Sequence, residues 1–107
     1  MANGGKAFGI ELLSEAGCRR ALEPQTNGAD LVLGLPVTFG MGYALRNESM
    51  PMGPNKNTLF WGGAGGSSIV VDMDSHLCLS YVMNQMNNNI IGDPRGFNLA
   101  FALFKAL

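Results

Sequence analysis

The sequence predicts an α+β fold, a partial antiparallel β-sheet flanked by helices, with residues 1–107 as one unit. Three observations carry this. Ser67 to Met83 holds two β-branched or apolar runs around a polar turn, which is the pattern of a hairpin. Two helix starts are marked by a capping side chain: Ser14 ahead of Glu15, and Asp93 ahead of Pro94. Charged residues make up only 14% of the chain, against roughly 25% in ordinary soluble domains, so little of its surface is expected to be free of further protein.

Taken in order, Ala2-Asn3-Gly4-Gly5 reads as a turn. Ser14 then caps a helix through Leu22, with Glu15 near the positive end of its dipole and Arg19 and Arg20 towards the other. Ile10, Leu12 and Leu13 pack the approach, and Pro24 ends it. Residues 24–37 place Asn27-Gly28, Gly34 and two prolines around Leu31-Val32-Leu33, which reads as a loop touching the core and turning back. Thr38 to Leu45 alternates strictly. It is expected as a single strand with Phe39, Met41, Tyr43 and Leu45 on one face, and with Thr38, Gly40, Gly42 and Ala44 on a small face open to a helix or sheet layer.

Residues 46–57, with Pro51, Gly53 and Pro54, form a surface loop. Thr58 to Trp61 leads into a cluster of glycines. Strands over 67–73 and 77–83 follow, joined by a turn at Asp72-Met73-Asp74-Ser75-His76, and Asn84 to Asn89 is polar loop. In the last helix Phe97, Phe101 and Phe104 recur at helical spacing. Leu99, Ala100, Leu103 and Leu107 widen the apolar surface beyond one stripe, so burial on more than one side is expected.

Composition removes several function classes. The net charge is −1, and the seven basic residues are scattered singly apart from Arg19-Arg20, so no stripe exists to neutralise the phosphates of a nucleic acid. Apolar runs are too short for a membrane span, and the first residues lack the apolar core of a signal peptide. Cys18 and Cys78 lie far apart in apparently regular elements, with no histidine at metal-ligand spacing. Both are expected to be buried thiols in a reducing, cytoplasmic compartment. Asn47-Glu48-Ser49 matches a glycosylation triplet, a pattern frequent by chance. No metal or cofactor is expected: Asp72, Asp74 and Asp93 serve a turn and a helix cap, and His76, the only histidine, reads as a solvent-facing turn residue.

The chemistry concentrates in Phe60 to Val71, which holds the only tryptophan and four of the fifteen glycines. Such glycines let a backbone approach a ligand or a neighbouring strand, and they equally suit a bulge or tight turn. The run has no lysine and does not spell Gly-x-Gly-x-x-Gly, which speaks against a phosphate loop. The 107 residues contain no Ser-x-x-Lys and no Gly-x-Ser-x-Gly. Neither Tyr43 nor Tyr81 is followed two residues later by asparagine or serine.

Leu12-Leu13-Ser14, Gly34-Leu35-Pro36, Phe39-Gly40-Met41-Gly42-Tyr43, Trp61-Gly62-Gly63-Ala64-Gly65-Gly66-Ser67 and Tyr81-Val82-Met83-Asn84-Gln85-Met86 together resemble one family. They are similar to the C-terminal part of the serine β-lactamase-related proteins, which include class C β-lactamases and family VIII carboxylesterases. That resemblance implies an antiparallel sheet flanked by helices and catalysis by a serine in Ser-x-x-Lys with a tyrosine helper. It also implies a third motif, here Trp61-Gly62-Gly63, on an edge strand beside the active site. The backbone N–H of Ala64 would then contribute to the oxyanion hole. Where the β-lactamase motif carries lysine this chain has Trp61, an apolar wall with one N–H donor, which favours a small neutral ester or amide over an acidic substrate. The resemblance makes residues 1–107 a single partial domain, supplying one wall of a site without its nucleophile and inactive alone. The alternative is a non-catalytic module that self-associates as a homo-oligomer, or binds a partner, through its sheet edge and helix faces.

Overall fold

A computed structural model describes residues 1–89 and 91–107. The elements in chain order are β1 (Lys6–Ala7), β2 (Ile10–Glu11), α1 (Glu15–Arg20), β3 (Thr26–Ala29), β4 (Pro36–Phe39), β5 (Ala44–Leu45), β6 (Thr58–Gly62), β7 (Ser68–Asp72), β8 (Leu77–Tyr81) and α2 (Pro94–Lys105). β1 and β2 pair as a small hairpin. The other six strands form one antiparallel sheet in sequence order, each paired with the next. The expected α+β architecture is therefore present, with a longer sheet than the patterning indicated.

Both helices start where the capping residues place them. The Ser14 hydroxyl accepts from the Gly17 N–H at 3.1 Å, and Glu15 bonds Arg19 one turn on at 3.0 Å. The helix stops at Arg20, short of Pro24. The Asp93 carboxylate accepts from the Arg95 N–H at 2.8 Å, and Pro94 occupies the first turn, where its missing N–H costs nothing. The β7–β8 hairpin also forms as expected. Asp72, fully buried, closes its turn by accepting from the Asp74 and Ser75 N–H groups at 2.9 and 3.0 Å, while Asp74 accepts from Asn57.

Residues 24–37 are not a loop. β3 and β4 pair from Thr26 opposite Phe39 to Ala29 opposite Pro36, and all four β3 residues are exposed, so the strand has no inward face to pattern its sequence. The connection is drawn tight by Asp30, whose carboxylate accepts from the Val32 and Leu33 N–H groups at 2.9 and 2.8 Å, leaving Leu31 and Val32 at an exposed tip. The alternating stretch 38–45 is likewise two strands. The chain turns at Gly40–Tyr43, where Gly42 takes φ +82° and the Gly40 N–H donates to the Tyr43 carbonyl at 2.9 Å. Gly40 does meet a helix end, since a Cβ there would lie 2.2 Å from the Ala21 carbonyl oxygen. The turn sends Phe39 and Tyr43 into different clusters, although alternation placed them on one face.

Alternation along the central strands builds a core on each side of the sheet. Val37, Ala44, Phe60 and Val70 pack beneath Ala100 of α2, and Leu45, Leu59 and Val71 pack against Ala21 at the end of α1. The helix α2 approaches closely because it is small where it touches: a Cβ at Gly96 would fall 2.9 Å from Ser68 Oγ and 3.0 Å from the Tyr81 ring. Its burial is one-sided, contrary to expectation. Gly96 and Ala100 are buried while Leu99 and Phe101 remain 50% and 56% exposed, so the described residues do not cover the wide apolar face. Cys18 is fully buried as expected. Cys78 is not: strand alternation turns it outward, and it is exposed.

Candidate active-site wall

The four residues singled out by sequence lie where β6 ends and turns into β7. Trp61 pairs with Ile69 and Gly62 with Ser68. Trp61 is half-buried and leans on Phe39 in a tilted contact, ring planes at 55° and centroids 5.0 Å apart, within the distance range favoured by aromatic pairs. Gly62 is buried against the segment before α2, and a Cβ there would sit 2.7 Å from the Gly92 nitrogen. No side chain fits without moving backbone.

β6 is not an edge strand, because β5 lies between it and β4. β5 is only two residues long, however, and opposes Leu59 and Phe60 alone. Trp61 and Gly62 extend past its end, so on that flank their main chain has no strand partner among the described residues.

Gly63 to Gly66 form the turn itself. The Gly63 N–H donates to the Ser67 carbonyl at 2.7 Å, and the Gly66 N–H returns to the Gly63 carbonyl at 3.1 Å. With Gly65 at φ +95° in the third position, this is a type II turn with Ala64 in the second. Ala64 is exposed, and among the described residues no carbonyl accepts from its N–H. Its neighbours are tied down: the Gly65 N–H donates to the Asn89 carbonyl at 3.2 Å, and the Gly65 carbonyl accepts from the Asn87 N–H at 2.8 Å. The Ala64 N–H is therefore exposed on a turn whose next residue is tied down on both its N–H and its carbonyl.

Two recesses flank this corner. One, of about 300 Å³, lies under α2 between Met50, Phe60, Trp61, Val70, Phe97 and Phe101. The other, of about 230 Å³, runs along Gly62, Gly63, Ser67, Ser68 and Tyr81. Their linings contain no charged side chain. Volumes near 300 Å³ suit small ligands.

Sequence reasoning missed a second set of residues here. Asp93, 1% exposed, lies beneath Gly66 and binds Arg95 through both carboxylate oxygens: Oδ1 accepts from Nε at 2.8 Å and Oδ2 from Nη2 at 2.5 Å. The Arg95 side chain holds the Asp93 carboxyl at about 2, below its ordinary 3.8. Burial opposes this, and the Arg95 backbone N–H adds to it. A depressed carboxyl contributes stability that is complete above its unfolded value and is lost as pH falls towards about 2. The thermal midpoint should therefore drop more steeply between about pH 4 and pH 2 in the wild type than in Asp93→Asn. Parallel profiles would remove Asp93 from the acid response. The sequence signal for this pair was Asp-Pro-Arg at a helix start, which reads as a cap alone.

His76 stands away from this corner. It is exposed in the β7–β8 turn, at φ +53°, and its Nδ1 donates to the Ala2 carbonyl at 2.9 Å. The five-residue length of β7, roughly 17 Å, separates it from Ser67.

No family model and no curated protein matches this sequence. Solved structures do. The crystal structure of a family VIII carboxylesterase aligns with TM-score 0.89 and 35% identity, over 99% of this chain and 28% of that one. A novel penicillin-binding protein homolog from Caulobacter crescentus aligns with TM-score 0.91 and 33% identity, over 99% of this chain and 29% of that one. The chain belongs to the serine β-lactamase-related fold family. It spans less than a third of either matched structure. The corner at Trp61 to Gly66 combines open main chain with two adjoining recesses. Among its described residues no helix is long and apolar enough to cross a membrane.

Proposed function

We propose that this chain is the C-terminal segment of a β-lactamase-like serine hydrolase and forms one wall of a site for small neutral esters or amides. The observation that carries the reading is the match of nearly the whole chain, at 35% identity, to a family VIII carboxylesterase. In this role the Ala64 N–H donates to the oxyanion that develops on the substrate carbonyl, an interaction worth about 3 kcal/mol in the transition state. Trp61 and Phe39 form the apolar wall. Gly62 and Gly63 keep side chains out of the approach. The uncharged recesses support a neutral substrate, since an acid would meet no cation in them.

The nucleophile and base belong to chain outside these residues, so the segment alone is inactive. A reducing, cytoplasmic setting is part of this reading, in which Cys18 and Cys78 both stay free thiols. A second reading, a non-catalytic module that self-associates or binds a partner, draws support from the uncovered Leu99 and Phe101.

One preparation tests both. The purified 107-residue chain should give no serine-dependent turnover of a chromogenic ester, and such turnover would overturn the claim that it lacks the catalytic groups. On a sizing column the same sample should elute above monomer size if the second reading holds. A stable folded monomer in dilute solution would count against self-association.

A further inference from the structure

We propose that Asp93 and Arg95 are positioning residues: a clasp that fixes the Gly63–Gly66 turn and so aims the Ala64 N–H. The structural half stands on geometry alone. The functional half rests on the hydrolase reading above.

The contacts form a closed path around the turn. Asp93 lies directly under Gly66, where an added Cβ would be 2.6 Å from Oδ2 and 2.9 Å from the Asp93 Cβ. Asp93 holds Arg95, and Arg95 Nη2 also donates to the Gln85 carbonyl at 2.8 Å. Two residues beyond Gln85, the Asn87 N–H donates to the Gly65 carbonyl, and the Asn89 carbonyl accepts from the Gly65 N–H. Met86 seals the outside, its methyl 2.6 Å from where a Gly65 Cβ would stand. The path begins at one turn glycine and ends at the next, and Ala64 precedes both.

Capping α2 does not require this arrangement. A cap needs one side-chain oxygen, and serine would serve as well as aspartate. Asp93 spends Oδ1 on the Arg95 N–H and then commits both oxygens to the guanidinium, which in turn grips a carbonyl eight residues before the cap. Only the Asp93 half of the pair is buried, Arg95 keeping 42% of its side chain exposed, and a pair with a solvent-exposed partner adds little stability by itself, so what this one adds is chiefly a fixed geometry. What it fixes is the 85–89 segment against the Gly-rich turn.

Amide hydrogen exchange on this chain, comparing wild type with Arg95→Met, Arg95→Lys and Asp93→Ser, tests the clasp. Asp93→Ser keeps the cap and removes the second carboxylate oxygen. In Arg95→Met and Asp93→Ser the Gly65 and Asn87 amides should exchange roughly 10- to 100-fold faster, as local opening becomes easier, while Val70 and Leu79 stay protected. Arg95→Lys should recover part of the protection. Unchanged exchange at Gly65 and Asn87, or acceleration spread evenly over the sheet, would overturn the clasp. The second readout is ester turnover in a longer polypeptide that contains this segment and is active. There Arg95→Met should lower kcat with little change in KM. An unchanged kcat alongside locally faster exchange would overturn the positioning role while leaving the clasp intact. Faster local exchange with no turnover in any wild-type preparation would instead count against the hydrolase reading.

Discussion

Proline in place of Ala64 is expected to lower ester turnover roughly 100- to 1,000-fold, in an active polypeptide containing this segment, while leaving the fold intact. Ala64 occupies the second position of a type II turn, with Gly65 at φ +95° after it and the Gly66 N–H closing back to the Gly63 carbonyl. Proline is common at that position because its ring supplies the φ the turn requires. The substitution deletes one atom group that matters, the backbone N–H, which no described carbonyl uses. Restricting the unfolded chain should even add about 0.4–1 kcal/mol of stability. Ala64→Gly retains the N–H and serves as the control. If kcat falls in the proline variant while the thermal midpoint holds or rises, and the glycine variant stays near wild type, the donor role stands. Equal losses in both variants would mean that the turn, not its N–H, matters. Full activity in Ala64→Pro would remove Ala64 from the oxyanion site.

Much of this fold is legible in the sequence because its signals are local. Ser14 and Asp93-Pro94 mark helix starts, since a cap is a contact across three residues or fewer. The β7–β8 hairpin is legible because its turn is closed by Asp72 within three residues. The readings that failed are those where long-range packing decides. β3 has no buried residue, so neither alternation nor composition marks it. Thr38 to Leu45 alternates as one strand should, yet the contact between Gly40 and the end of α1, with Gly42 in a left-handed conformation, folds it in two. The apolar width of α2 is real in sequence, but among the described residues nothing covers Leu99 and Phe101, so width alone did not predict burial.

The candidate site divides in the same way. Trp61 to Ala64 are contiguous and carry a motif, so they can be found by reading along the chain. The residues that hold them in place come from separate stretches: Phe39 from β4, Gln85 to Asn89 from the segment after β8, and Asp93 with Arg95 from the start of α2. Only the paired glycines at 65 and 66 hint that something must lie close against the turn, and they do not say what.

What lies against it makes Gly66→Ala a damaging substitution at this corner. Gly66 sits at φ +122°, a conformation that costs an L-residue about 1–3 kcal/mol. The new methyl would also meet Asp93 Oδ2 at 2.6 Å, and Asp93 is not free to swing aside because Arg95 holds both its oxygens. The combined loss should reach roughly 2–4 kcal/mol, which for a chain of this size lowers the thermal midpoint by about 10–25 °C. Gly63→Ala is the contrast. Its Cβ would crowd only Ser67 Oγ, at 2.7 Å, with the Ser67 carbonyl oxygen at an ordinary 4.0 Å, and a serine hydroxyl can rotate away, so the loss there should stay within about 1 kcal/mol. The clasp makes a sharper demand on the double variant. Asp93→Ser shortens the side chain under Gly66 and relieves part of the clash, so Gly66→Ala should cost less in that background than in the wild type, by roughly 0.5–2 kcal/mol. Strict additivity of the two substitutions in thermal unfolding would mean that Gly66 and Asp93 do not bear on each other, and the turn would then be held by its own backbone alone.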